Sequence, residues 1–166
     1  MSRLPGWAVL VSALLGWAGQ VLAAGGVQFV LPDLDGREVS LQEELAQGPV
    51  VLDFWATWCK PCIQSLPKIA EIAAEYQDRG VRVYTVNIDG PRNLVKIRPF
   101  LQRHRLQLPV LVDRTNQVMK QFQLVGLPAT LVLSAQGGVV YRHQGYRPGD
   151  ELKLKAALDA LVPPKP

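Results

Sequence analysis

The 166-residue sequence predicts an α/β sandwich with a mixed central sheet. Three observations carry that expectation. Val50-Val51-Leu52-Asp53-Phe54-Trp55 is a compact β-rich run whose near-continuous apolar character suits a strand covered on both faces. Strand and helix patterns alternate from there to about residue 122, after which two strands follow one another and a last helix closes the chain. The length matches one domain, and 48% apolar with 19% charged residues is the composition of a folded globular chain.

Taken in order, Val27–Leu31 and Glu38–Leu41 are short apolar-rich runs around Pro32-Asp33-Leu34-Asp35-Gly36, where Asp-Gly signals a hairpin. Gly48-Pro49 ends the next polar stretch and Val50–Trp55 is the first central strand. Ile63, Leu66, Ile69, Ile72, Ala73 and Tyr76 recur at three- and four-residue steps, which predicts a helix from Cys59 to Arg79 with Gly80 as its stop. Pro61 fits the first turn, whereas Pro67 stands inside the stripe and predicts a kink. Val81–Ile88 reads as a strand, Asn93–Leu106 as a helix interrupted or restarted at Pro99, and Pro109–Asp113 as a short strand. Thr115–Phe122 is a short helix. Ala129–Leu133 and Val139–Arg142 are strands joined through Gln136-Gly137-Gly138. Asp150–Leu161 is a final helix with Leu154, Ala157, Leu158 and Leu161 on one face.

The N-terminus carries a different signal. No Asp, Glu, Lys or Arg occurs from Leu4 to Pro32, Arg3 supplies a short positive region, and Trp7 to Trp17 is apolar. Val21-Leu22-Ala23 then suits signal-peptidase cleavage, so residues 1–23 are expected to be a signal peptide and 24–166 the folded domain. The rival reading is an uncleaved anchor, because the 21 residues from Leu4 to Ala24 are long enough to span a bilayer. Both readings export the domain to a periplasmic or other extracytoplasmic compartment, where disulfides form. The net charge of +4 permits an acidic partner without demanding one.

Cys59 and Cys62 are the only cysteines, which excludes a multi-bridge scaffold. His104 and His143 stand far apart and match no zinc spacing, so no metal is expected. Trp58-Cys59-Lys60-Pro61-Cys62 falls where a strand hands over to a helix. A two-residue spacer on a first helical turn lets the two sulfurs meet. The helix N-terminus aims unpaired N–H groups at the first sulfur, and Lys60 adds a cation beside it, both of which stabilise a thiolate. The second cysteine is placed to attack a mixed disulfide formed by the first. Asp53 in an apolar strand is costly unless paired or neutral, and a raised pKa is expected.

Phe54-Trp55-Ala56-Thr57-Trp58-Cys59-Lys60-Pro61-Cys62, with Pro67 eight residues after Cys59, resembles the thioredoxin superfamily. The first hairpin and the extra helix and strand between Asn87 and Gly126 resemble its exported TlpA/ResA-type branch. The resemblance implies a three-layer thioredoxin-like sandwich with an N-terminal hairpin and a central helix–strand insertion. It implies a thiol–disulfide oxidoreductase without a cofactor, acting on a protein disulfide or dithiol and drawing electrons from a membrane thiol donor. Cytochrome c maturation is the commonest setting of that branch.

Residue by residue, the resemblance makes Cys59 and Cys62 the redox pair and Asp53 the carboxylate behind Cys62 that shuttles its proton. Trp58, Lys60 and Pro61 then flank the substrate. Val125-Gly126-Leu127-Pro128-Ala129-Thr130 resembles the loop in which Pro128 is cis and the Leu127 backbone pairs with a substrate peptide. Two departures stand out. Ser65 takes the place where many exported relatives have Glu, and Thr85 the place where thioredoxins have Lys.

Other readings of the pair are a disulfide oxidase or isomerase, favoured by Lys60, and a peroxiredoxin-like peroxidase. The peroxidase lacks its Pro-x-x-x-Thr-x-x-Cys pattern here. A purely structural bridge closing so short a loop would stabilise little. The acid-free stretch holding Arg92, Lys96, Arg98, Arg103 and Arg105 reads first as a solvated helix face and second as a dock for acidic partners or lipid headgroups. Nucleic-acid binding is not expected, since no binding motif is present.

Overall fold

The computed structural model describes residues 26–164, so the expected signal peptide or anchor lies outside the described residues. Strands β1 (Val30–Pro32) and β2 (Glu38–Ser40) form a small antiparallel hairpin, and helix α1 (Leu41–Leu45) follows at once. The central elements are β3 (Val50–Trp55), α2 (Lys60–Tyr76), β4 (Arg82–Asn87), α3 (Ile97–Arg103), β5 (Val110–Val112), α4 (Gln117–Gln121), β6 (Ala129–Leu133), β7 (Val139–Gln144) and α5 (Asp150–Asp159). Five strands make one sheet in the order β5-β4-β3-β6-β7. β4 runs parallel to both β3 and β5, and β6 runs antiparallel to β3 and β7, so the sheet is mixed as the element order predicts.

Every residue of β3 is buried, the outcome expected of a central strand with helices on both faces. Val51 and Val132 pack with Ile69, Ile72 and Tyr76 of α2 and with Leu154 and Leu158 of α5. Leu52, Phe54 and Leu131 join the other cluster, with Leu41, Ile97, Leu101, Val118 and Phe122. The sheet is thus the middle of three layers, with α2 and α5 in one and α1, α3 and α4 in the other.

Several element bounds differ from expectation. Leu41 starts α1 rather than ending a strand, because Ser40 is the last extended residue (φ −94°, ψ 123°) before the chain turns helical. The long helix ends at Tyr76, and a 3-10 turn over Gln77–Arg79 leads to Gly80 in the left-handed region (φ 80°). Pro91–Lys96 is a 3-10 turn, and α3 begins only at Ile97. Pro99 therefore lies in the first turn of α3, where its missing N–H has no helical acceptor to lose. Gly48 (φ +149°) has no room for a side chain, since a Cβ there would fall 2.3 Å from the Gly80 carbonyl oxygen.

Candidate active site

The cysteine motif sits where β3 ends and α2 begins. Cys59 caps α2 in an extended conformation, and Pro61 occupies its first turn. The Cys62 N–H donates to the Cys59 carbonyl at 3.1 Å, which folds the motif back on itself. The two sulfurs are bonded, with the Cα atoms 5.3 Å apart. Cys59 is 4% exposed and Cys62 fully buried, whereas Trp58, Lys60 and Pro61 stand in solvent.

A carboxylate two residues past the end of β4 braces this loop. Asp89 accepts from the Thr57 backbone N–H (3.0 Å), the Thr57 hydroxyl (2.8 Å) and the Asn87 side-chain amide (2.7 Å). Thr57 is two residues before Cys59, so Asp89 fixes the approach of the chain to the reactive turn. No sequence signal had singled Asp89 out; its role comes from β4 lying parallel to β3, which brings the ends of the two strands together.

Asp53 is fully buried, and its carboxyl group is pushed up to about 7. Burial is the cause, since the charged form loses its water, and one hydrogen bond from Thr130 offsets it only in part. That bond, from the Thr130 hydroxyl to Oδ1, is 2.7 Å long, while Oδ2 has no partner among the described residues. Strand register explains the pairing: Thr130 lies directly opposite Asp53 on β6, and His143 lies opposite Thr130 on β7. On the other side Thr85 is the parallel partner of Asp53, but its hydroxyl donates to the Pro109 carbonyl at 3.0 Å. The place where thioredoxins carry a lysine therefore offers Asp53 no countercharge. His143 is 3.0 Å from the Asp150 carboxylate at the start of α5.

The Leu127–Pro128 peptide is cis, and Pro128 is buried while Leu127 is partly exposed. Pro128, Ser65, Thr130 and His143 share the wall of a cavity of about 20 Å³, which places the proline loop against the first turns of α2. Ser65 is buried and donates to the Cys62 carbonyl at 3.3 Å, so the residue standing in the Glu position is part of the fold of α2 rather than an exposed acid. Trp55 is buried and tilted against Phe100, with ring centroids 5.1 Å apart. His104 is tilted against Phe100 as well, with ring centroids 4.5 Å apart.

Among the described residues no group of three or more His, Cys, Asp or Glu is arranged to hold a metal, and no helix is long and apolar enough to cross a membrane.

Residues 26–142 match the model of the AhpC/TSA family. The thiol-disulfide oxidoreductase ResA of Geobacillus thermodenitrificans is 38% identical over 111 residues, 67% of this chain and 62% of that protein. The chain thus spans under two thirds of that relative's length. The ResA protein of Halalkalibacterium halodurans is 33% identical over 132 residues, 78% of this chain and 73% of the relative. Among solved structures, a putative thiol:disulfide interchange protein DsbE from Chlorobium tepidum superposes with a TM-score of 0.74 at 31% identity, over 82% of this chain and 94% of that one. With a mixed five-stranded sheet between two helical layers and a Cys-x-x-Cys turn between β3 and α2, the chain belongs to the AhpC/TSA family, as a ResA-type member with the thioredoxin-like fold.

Proposed function

We propose that this protein is an exported thiol–disulfide oxidoreductase that reduces protein disulfides through Cys59 and Cys62. The observation that carries the reading is a disulfide on the first turn of α2, backed by a wholly buried carboxyl group held near neutral pH. In the reduced protein the Cys59 thiolate attacks a target disulfide. A Cys59–target bond forms, the target bond breaks, and the leaving thiolate takes a proton from water. Asp53 then accepts the Cys62 proton, and the Cys62 thiolate attacks the Cys59 sulfur. The Cys59–Cys62 bond forms, the mixed disulfide breaks, and two electrons have passed to the target.

A carboxyl group with a pKa of about 7 suits this step, because it is present in both protonation states at neutral pH. Trp58, Lys60, Pro61, Leu127 and Pro128 surround the attacked bond in this reading. A thiol donor in the membrane then returns the pair to the dithiol. The domain works outside the cytoplasm, freed by cleavage after Ala23 or tethered by residues 4–24, and cytochrome c maturation is the setting proposed for it.

The experiment is a trap. Cys62→Ser leaves the mixed disulfide without its resolving thiol, so adducts with exported proteins accumulate and disappear on treatment with dithiothreitol. Cys59→Ser forms none. If neither variant forms adducts, the reading fails.

A further inference from the structure

We propose that the groove between Trp58 and the face of α3 binds an acidic side chain of the substrate next to its target cysteine. The inference rests on the disulfide-reductase reading and adds the substrate class. The groove has a volume of about 440 Å³, within the ~300–1,000 Å³ typical of ligand sites. Thr57 and Trp58, the two residues that precede Cys59 in the chain, form one wall. Asn93 begins the other wall.

Lys96, Pro99, Phe100 and Arg103 complete that wall. Lys96 is the N-cap of α3 with helical backbone angles, and its spacing of three, four and seven residues to Pro99, Phe100 and Arg103 continues their stripe. Pro99 and Phe100 give it an apolar floor, and a cation stands two turns apart at each end. Arg92 and Arg105 of this segment are exposed outside the groove, and Arg98 is used differently. Arg98, on another face, bonds Asp35 at 2.6 Å and the Leu34 carbonyl at 2.9 Å. Lys96 and Arg103 are exposed and form no ion pair among the described residues. Among the described residues no carboxylate lines the groove.

The groove is also preformed. Asp89 holds Thr57 through its carboxylate and Asn93 through its backbone carbonyl (3.3 Å), so one residue ties both walls together. Both oxygens of that carboxylate are taken up by Thr57 and Asn87. Trp58 is 64% exposed and offers its ring to the same peptide. An acidic residue one or two positions from the attacked cysteine lies within reach, since adjacent Cα atoms are about 3.8 Å apart. Its carboxylate meets Lys96 or Arg103, neither of which is ion-paired among the described residues, and its neighbours rest on Trp58 and Phe100.

The test compares three peptide disulfides that flank the same cysteine with Glu, Gln or Lys, reduced by the full-length protein in its dithiol form. At low ionic strength the Glu peptide is expected to react about tenfold faster than the Lys peptide. The ratio closes to about twofold in ~1 M salt, where screening is nearly complete. The double substitution Lys96→Glu with Arg103→Glu inverts the order, while Lys120→Glu, a charge change of the same sign on α4, leaves the wild-type ratio in place. Equal rates for all three peptides with the wild-type protein overturn the inference and leave the reductase reading standing. If no peptide is reduced, both fall. Equal peptide rates together with binding to phosphatidylglycerol vesicles that the double substitution abolishes would overturn it in favour of a membrane surface.

Discussion

Replacing Asp53 by asparagine removes a charge that the fold resists, and the size of the resistance follows from the site. The Asp53 carboxyl has a pKa of about 7 in the folded protein against an ordinary 3.8, because it is wholly buried and receives a single hydrogen bond. At about 1.36 kcal/mol per pKa unit, ionising it inside the fold costs about 4 kcal/mol more than in the unfolded chain. Below pH 3.8 the group is neutral in both states and has no effect. Between 3.8 and about 7 the native state keeps a proton that the unfolded chain has released, so this group's contribution to stability falls as pH rises. Above about 7 the loss levels off.

Asparagine keeps an oxygen to accept from Thr130 and cannot ionise. The variant should therefore gain on the wild type by about 4 kcal/mol between roughly pH 3.5 and pH 8, with most of the change between about pH 4 and pH 7. Urea unfolding of both proteins in the disulfide form, at four pH values across that range, measures the difference directly. The disulfide form keeps the thiols out of the titration. A stability difference that varies by less than about 1 kcal/mol over the range would refute the reasoning.

Two further outcomes follow from the same geometry. Thr130→Val removes the one hydrogen bond that lowers the Asp53 pKa, so the pH profile of the resolving step should move to higher pH, as stopped-flow rates with a peptide disulfide would show; an unchanged or downward shift contradicts it. Gly48→Ala forces a Cβ to within 2.3 Å of the Gly80 carbonyl at a φ of +149°, so thermal melting should report a loss of at least about 2 kcal/mol, and a loss under about 0.5 kcal/mol counts against the close approach.

Local patterns made much of this molecule legible. The apolar run Val50–Trp55 became the central strand, and the stripe from Ile63 to Tyr76 became α2. Asp53 was visible as a polar residue within a strand otherwise made of apolar ones. Its partner Thr130 was not, because the pairing depends on antiparallel register between strands 77 positions apart in the chain. Asp89 escaped for the same kind of reason: an acid followed by Gly90-Pro91 reads as a turn, and only the β3–β4 pairing aims it at Thr57. Helix α1, five residues long, is too short to show a period, and Val39 followed by Ser40 and Leu41 alternates like a strand. The basic stretch looked like a solvated face, and for Arg92 and Arg105 exposure agrees with that. Lys96 and Arg103 differ from them only because Trp58 comes to stand opposite.

The central claim is that the Cys59–Cys62 pair is a reductant rather than an oxidant or a staple, and its equilibrium potential tests this most directly. The protein is equilibrated in graded thiol–disulfide buffers, alkylated, and its free thiols counted. A midpoint near about −270 mV, in the range of thioredoxin, is the predicted result. A midpoint near about −120 mV would reverse the direction of electron flow and contradict the account.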